Sequence, residues 1–560
     1  MRCYPEKVTR RYYEIGAWDD KTWNDYIKEH ASNTPDKEAV VDQPNKEETM
    51  GVGPLRLTWK EFKTLVDRLA LNFLEIGVRP EDVVFIQLPN CIELILAEMA
   101  LDRIGAVGTF SPMRHRATEV RYTIQKTGAK FALCMKKYMD FDYLELITKL
   151  RPECPTLQQV VVCAGGVPAG TLSLAKMLEN RLEEKYPVGY LDRFRPSPDD
   201  VLTLCLTTGT EALPKVVPRT PNSWKAITRA LLAATGHGRE TVFSGPFPYM
   251  NMGGLGVQLY PWIMAGGKFV VHDPFNVDIF LRQITEEKIN YIIAVPAIYF
   301  AMLNHPELGK KYDISSLTVV GCGGEAPPHT VIEELDRRGI TVINEFGATE
   351  GWGFFTLPGQ PVEERKDLFR LDEILKYLPG MEFKVIDPAT AEELPPGMEG
   401  ELIVRGPEVF SGYLNAPEVN EKSFTRDGFF RTGDLACLNA DHTLKYVGRV
   451  KDMIIRSGQN ISPAEIELIL QYHPKIYEVS VIGIPDPVRG QRVCAYVTPK
   501  PGETIALPEI VSFMREKQVA SYKIPERLEI MEVLPKGPSG KILKRVLRED
   551  LAEKLKGEGG

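Results

Sequence analysis

The stretch 204–220 reads LCLTTGTEALPKVVPRT. An apolar run of strand length opens into a small, hydroxyl-rich loop around Gly209 and ends on Lys215. Hydroxyl and amide donors beside one cation suit a pyrophosphate, yet Glu211 puts a carboxylate in the middle of the loop. A Walker A loop needs G-x-x-x-x-G-K-[ST]. Counted from Gly209, Pro214 stands at the second glycine and Val216 follows Lys215, which argues against an ordinary P-loop kinase or ATPase.

Outward from this loop the chain alternates helix and strand. Near the N-terminus, Thr58 and Glu61 form a capping-box pair, Phe62, Leu65, Val66, Leu69, Phe73 and Ile76 share one helical face, and Gly77 ends the helix. VVFIQL (83–88) reads as a buried strand and residues 92–104 as another helix. VLTLCL, KFVVH, YIIAVP, LTVVGCGG and TVINEF repeat the pattern, each an apolar run with a small or polar residue after it. This predicts a largely parallel sheet covered on both faces, with ligands at the carboxyl ends of its strands. Three runs end in unusual small-residue loops: TTGTEALPK, GCGGEAPP and FGATEGWG.

After about residue 380 the texture changes to short alternating segments, which suggests a small β subdomain, and near Gly448 it changes again to an α+β pattern with a Lys-rich tail. The expected fold is α/β: a large composite N-terminal domain over 1–448, of two βα sheets plus the β subdomain, and a smaller mobile α+β lid over 449–560. The chain's 560 residues are too many for one hydrophobic core. A net charge of -8 argues against nucleic acid or an anionic membrane as partner. Nine cysteines are scattered singly without a CxxC pair, so neither a disulfide frame nor a zinc site is expected. No apolar run reaches the roughly 18 residues of a membrane span, and the expected location is cytoplasmic.

Taken together, TTGTEALPK (207–215), GGEAPP (323–328), FGATE (346–350), RTGDL (431–435), GRVKDMIIRSGQNISPAEIE (448–467) and LPKGPSGKILKR (534–545) resemble the AMP-forming adenylating enzymes. That superfamily holds acyl- and aryl-CoA synthetases, peptide-synthetase adenylation domains and firefly luciferase. The resemblance runs from about residue 20 to 548, and six motifs in order are far more specific than any one. RRYYEIGAW and PKVVPRT look like the aryl-acid branch, whereas LPKGPSGKILKR also occurs in general acid–CoA ligases; the choice stays open.

The resemblance implies the following roles. Thr207, Thr208, Gly209, Thr210 and Lys215 would hold the pyrophosphate of ATP. Gly324, Glu325 and Ala326 would wall the adenine slot, with Phe346 against the base. Thr349 would donate to the α-phosphate and Glu350 would hold Mg²⁺. Asp434 and Arg449 would fix the ribose, and Lys541 would reach the reacting oxygens during adenylation. Lys451 would be the hinge of the lid, and Gly458 would line the tunnel for the thiol of coenzyme A. Alone, Asp434 is a turn residue, Glu350 a solvated acid and Lys541 a surface lysine; the weight lies in their joint appearance.

For the acyl pocket the resemblance points to PFPYMNMGG and the FGATE loop. Tyr249 stands where many members have histidine, and Tyr249–Met250 replaces the His–Asn pair of the dihydroxybenzoate branch, which argues against a catechol acid. Gly347 stands where acetate-specific relatives carry tryptophan, which implies a deep pocket. With Met250, Met252 and Trp352 nearby, a bulky apolar acid (aromatic, alicyclic or medium-chain) is expected. The expected co-substrates are ATP and CoA, with an acyl carrier protein as the alternative acceptor; a homodimer is one option for the assembly. Family members usually have Thr or Ser at Glu211 and glycine at Ala212 and Val216. The Glu211 side chain is therefore expected to turn away from the phosphates, toward solvent, Arg219 or another cation.

Overall fold

The computed structural model describes residues 1–207, 214–456, 459–486, 488–537 and 542–558. Contacts group the chain into two compact units, Met1–Met381 with Arg405–Lys422, and Glu382–Val404 with Ser423–Gly560. The small β subdomain thus groups by contact with the C-terminal residues. The boundary expected at 448/449 lies inside strand Thr443–Arg449, one residue before the short 3-10 helix Val450–Asp452.

The first unit holds two sheets built on the same plan. In the eight-stranded sheet, Thr341–Ala348, Val319–Gly323, Tyr291–Ala294, Val242–Ser244, Lys268–Val270 and Glu38–Val41 run parallel in that spatial order. Trp352–Phe355 closes one edge as an antiparallel hairpin with Thr341–Ala348, and Arg56–Thr58 closes the other. In the seven-stranded sheet, Thr203–Leu206, Val107–Phe110, Val83–Gln87, Phe131–Cys134, Gln159–Val162 and Leu172–Ser173 run parallel. Its edge is again a hairpin, Thr203–Leu206 with Val216–Arg219.

These elements follow from local chemistry. Helix Trp59–Glu75 starts at the Thr58–Glu61 capping box and gives way at Gly77, whose φ is +98°. Val83–Gln87, Phe131–Cys134 and Thr203–Leu206 are buried end to end, as parallel strands covered on both faces are. The cysteines are unpaired thiols, seven of them buried. Among the described residues no helix is long and apolar enough to cross a membrane.

In the second unit, Glu382–Ile386, Glu399–Arg405, Phe430–Leu438 and Thr443–Arg449 lie side by side in a sheet. A second sheet is centred on the long hairpin Ile476–Asp486 and Gly490–Pro499, with Arg527–Ile530 parallel to the latter. Helices Pro463–Leu470 and Leu507–Glu516 bury Ile466, Leu470, Ile510 and Met514 in its core.

Candidate active site

Both edge hairpins of the first unit carry predicted site loops at their tips. The loop 207–215 joins Thr203–Leu206 to Val216–Arg219. At its base the Thr207 N–H donates to the Lys215 carbonyl at 2.9 Å, and the Lys215 N–H donates to Thr207 Oγ1 at 3.0 Å. The two ends of the predicted clamp are therefore locked to each other. Thr208, Gly209, Thr210 and Glu211 lie outside the described residues. Arg219, suggested as a partner for Glu211, is itself fully buried: it donates to the Ser223 hydroxyl and carbonyl at 3.1 and 2.9 Å and stacks 4.0 Å from the Trp224 ring.

The turn Thr349–Glu350–Gly351 joins Thr341–Ala348 to Trp352–Phe355. It is held from outside at three points. Arg219 Nη1 donates to the Thr349 carbonyl at 3.0 Å, the Phe410 N–H donates to the Glu350 carbonyl at 2.8 Å, and the Gly353 N–H donates to Glu408 Oε1 at 3.1 Å. Glu408 is buried, and that burial pushes its carboxyl pKa up to about 8 although Arg219 opposes the rise. Arg219 thus ties the hairpin edge of one sheet to that of the other, which brings Thr207, Lys215, Thr349 and Glu350 into one region.

The residues predicted for the adenine slot meet through strand register. Gly323 pairs with Glu345 on the neighbouring parallel strand, so Gly324, Glu325 and Ala326 leave one strand beside Phe346, which stays in the next. Residues 324–326 are exposed, and Gly324 has φ +82°. Phe346 faces its cross-strand partner Phe354 and meets Trp352 edge-on at 5.0 Å. Beneath it, Glu345 accepts from the Tyr291 hydroxyl at 2.7 Å, and burial raises its carboxyl pKa to about 8.

The predicted acyl-pocket residues are more dispersed in environment. Tyr249 is fully buried against Phe269, its N–H donates to Asn90 Oδ1 at 3.1 Å, and burial holds its hydroxyl protonated well above the usual phenol range. Met250 is half-buried and Met252 buried, the latter opening the π-helix Met252–Leu259, a geometry often found at functional sites. Trp352 is buried. Gly347 has a local explanation: a Cβ there would stand 2.5 Å from the Trp352 carbonyl oxygen and 2.9 Å from Gly353 Cα. The hairpin backbone requires this glycine whatever the pocket's depth.

In the second unit, Asp434 and Arg449 are directly opposite on antiparallel strands and form a two-point ion pair at 2.6 and 3.2 Å, with Asp434 buried. Lys451 is exposed on the 3-10 helix that follows. Gly458 and Lys541 lie outside the described residues; Lys541 precedes Ile542, which pairs with Lys536.

One carboxylate stands where a metal is expected. Glu350 is half-buried, and its Oε1 accepts from the Tyr413 hydroxyl at 2.8 Å. Among the described residues no three His, Cys, Asp or Glu side chains gather as a metal cluster. A lone carboxylate with one oxygen already engaged is a poor cage for a resident ion. It fits Mg²⁺ that arrives on phosphate oxygens. Sequence reasoning missed Tyr413, Glu408 and the supporting role of Arg219. Glu408 and Tyr413 lie in RGPEVFSGY (405–413), which was not among the loops singled out, and the signal for Arg219 was a charged residue inside the apolar strand run VVPR.

The base of the predicted phosphate loop and the turn bearing Thr349 and Glu350 thus stand together at the hairpin edges of the two sheets. The chain belongs to the AMP-binding enzyme family, which it matches over residues 27–414, with the AMP-binding enzyme C-terminal domain matched over 465–541. It is an ATP-dependent, AMP-forming ligase. It is 32% identical to the medium-chain fatty-acid–CoA ligase of Escherichia coli, over 99% of this chain and 94% of that enzyme. It is 30% identical to the 2,3-dihydroxybenzoate-AMP ligase of Bacillus subtilis, over 99% and 98%. The anthranilate CoA ligase AuaEII, solved with anthranoyl-AMP, has the same fold at a TM-score of 0.82, with 22% identity over 96% of this chain and 98% of that one.

Proposed function

We propose that the protein is an AMP-forming carboxylic acid–CoA ligase for a bulky apolar acid. The observation that carries the reading is the meeting of the Thr207–Lys215 loop base with Thr349 and Glu350 through Arg219. In the first half-reaction a carboxylate oxygen of the acid attacks the α-phosphorus of ATP. The bond to the bridging oxygen breaks, pyrophosphate leaves, and acyl-AMP forms. Two anions meet in this step, so oriented donors and cations do more than an acid–base pair. Thr207, Thr208, Gly209, Thr210 and Lys215 hold the leaving pyrophosphate, Thr349 donates to the α-phosphate, and Phe346 with Gly324, Glu325 and Ala326 holds adenine. Glu350 would hold Mg²⁺, which would supply positive charge to neutralise the phosphates. Asp434 and Arg449 bind the ribose. In the second half-reaction the CoA thiol sulfur attacks the acyl carbon, AMP leaves, and the thiol proton is released.

One acyl carbon needs different groups in the two steps, and a lid over 449–560 turning about Lys451 supplies them in sequence: Lys541 first, then a thiol path lined by Gly458. Tyr249, Met250 and Trp352 line the acyl pocket. Likeness to a fatty-acid–CoA ligase favours CoA as acceptor. Likeness to a dihydroxybenzoate-AMP ligase favours the second reading, transfer to a carrier-protein pantetheine, although Tyr249–Met250 in place of His–Asn disfavours a catechol acid.

The test incubates the enzyme with ATP, Mg²⁺ and a panel of acids, with and without CoA. Acyl-CoA and AMP are expected for an apolar acid; acyl-AMP that turns over only with a carrier protein selects the second reading. No acid-dependent pyrophosphate release from any acid sinks both. Lys541→Ala should slow adenylation on the order of a hundredfold while thioester formation from supplied acyl-AMP persists.

A further inference from the structure

The segment 410–414 touches both edge hairpins. At one end the Phe410 N–H donates to the Glu350 carbonyl, and at the other the Leu414 N–H donates to the Val216 carbonyl at 2.9 Å. Tyr413 lies between these anchors. Its hydroxyl donates to Glu350 Oε1 at 2.8 Å, and the Lys215 ammonium sits over its ring, 5.1 Å from the centroid. Asn420 pins the tyrosine main chain on both sides, accepting from its N–H at 2.7 Å and donating to its carbonyl at 2.9 Å. Gly412 makes the turn into Tyr413 at φ +131°, where a Cβ would stand 3.0 Å from the Asn420 amide. Tyr413 itself is 6% exposed, so both contacts are made by a fixed side chain.

A neutral aromatic thus contacts a cation with its face and an anion with its hydroxyl. A lysine and a glutamate free to reach each other in a cleft of low dielectric attract strongly. Such a pair competes with phosphate for the lysine and with metal for the carboxylate. A π face holds an ammonium without neutralising it, and a phenol O–H engages one carboxylate oxygen and leaves the second for a cation.

We propose that Tyr413 is a positioning residue for the metal–nucleotide complex. It fixes the Glu350 carboxylate so that one oxygen faces the ion carried by ATP, and its ring carries the Lys215 ammonium. This rests on the reading of Lys215 as a phosphate ligand and Glu350 as the metal ligand. Tyr413→Phe keeps the ring and removes the hydroxyl; Tyr413→Leu removes both.

The measurement is calorimetric binding of a non-hydrolysable ATP analogue to the full chain, in EDTA and in saturating Mg²⁺, with Mn²⁺ resonance on the enzyme–analogue complex as a direct metal readout. For Tyr413→Phe, affinity in EDTA stays within about twofold of wild type while the gain conferred by metal falls roughly fivefold. For Tyr413→Leu, affinity in EDTA also falls, by roughly threefold. The proposal is overturned if Tyr413→Phe keeps the full metal-dependent gain, or if it loses affinity equally with and without metal while melting lower. Glu350→Gln separates this failure from failure of the parent reading: a wild-type metal gain in that variant removes Glu350 as the metal ligand and the proposal with it.

Discussion

The two edge hairpins of the first unit solve one problem in different ways. Loop 207–215 is closed from within, by reciprocal bonds between Thr207 and Lys215 at its base. The tight turn Thr349–Glu350–Gly351 is closed from without, by Arg219, Phe410 and Glu408. A long loop that wraps a ligand, as proposed for 207–215, needs a firm base. A turn that must aim a hydroxyl and a carboxylate needs its backbone fixed by neighbours. The second solution places buried ionisable groups around the turn, so it is the more vulnerable to mutation and to pH.

The largest break in that comparison is expected from Arg219→Met. It removes the side-chain donor to the Thr349 carbonyl and the bonds to Ser223 and should cost about 3 kcal/mol in denaturant unfolding, with weakened ATP binding. A loss below about 1 kcal/mol would mean that the turn is self-supporting. Next comes Gly347→Ala, whose added methyl meets the facing backbone of the hairpin. It should destabilise by about 2 kcal/mol and leave the order of preference among acids unchanged. A changed preference with full stability would return this glycine to the acyl pocket.

Glu408 supplies the pH arm. Its folded pKa of about 8 lies above the ordinary carboxylic value of 4.5, so the folded protein binds the extra proton. The stability this confers is complete below about pH 4.5 and is lost as pH rises through 8. Glu408→Gln keeps an acceptor for Gly353 and should remove about 1–2 kcal/mol of the alkaline loss between pH 6 and 9. An identical pH profile in mutant and wild type would refute the assignment. The smallest effect is expected for Thr207→Val, which deletes the hydroxyl acceptor at the base of the self-closed loop. It should cost about 1 kcal/mol, read as a severalfold rise in KM for ATP with little change in melting temperature.

The elements were largely legible in the sequence because their signals are local. Thr58 and Glu61 cap helix Trp59–Glu75, and the apolar runs around residues 83, 203, 291, 319 and 341 are buried strands. The supports were not. Arg219 and Thr349 are 130 residues apart, and Tyr413 and Glu350 are 63 apart. No spacing rule links such pairs, and each reads alone as an ordinary strand or loop residue. Gly347 shows the converse, a residue whose family analogy suggests a pocket but whose immediate neighbours already require glycine.

Sequence by itself determined the alternation of strand and helix, the order of the motifs and through them the family, because periodicity, caps and glycine placement act over a few residues. Tertiary structure decided that both site loops are tips of edge hairpins, and that a buried arginine joins the two edges. It also placed a tyrosine between the lysine of one hairpin and the glutamate of the other. Those outcomes depend on which strands end a sheet and what packs against the ends, a property of the assembled chain and of no local stretch.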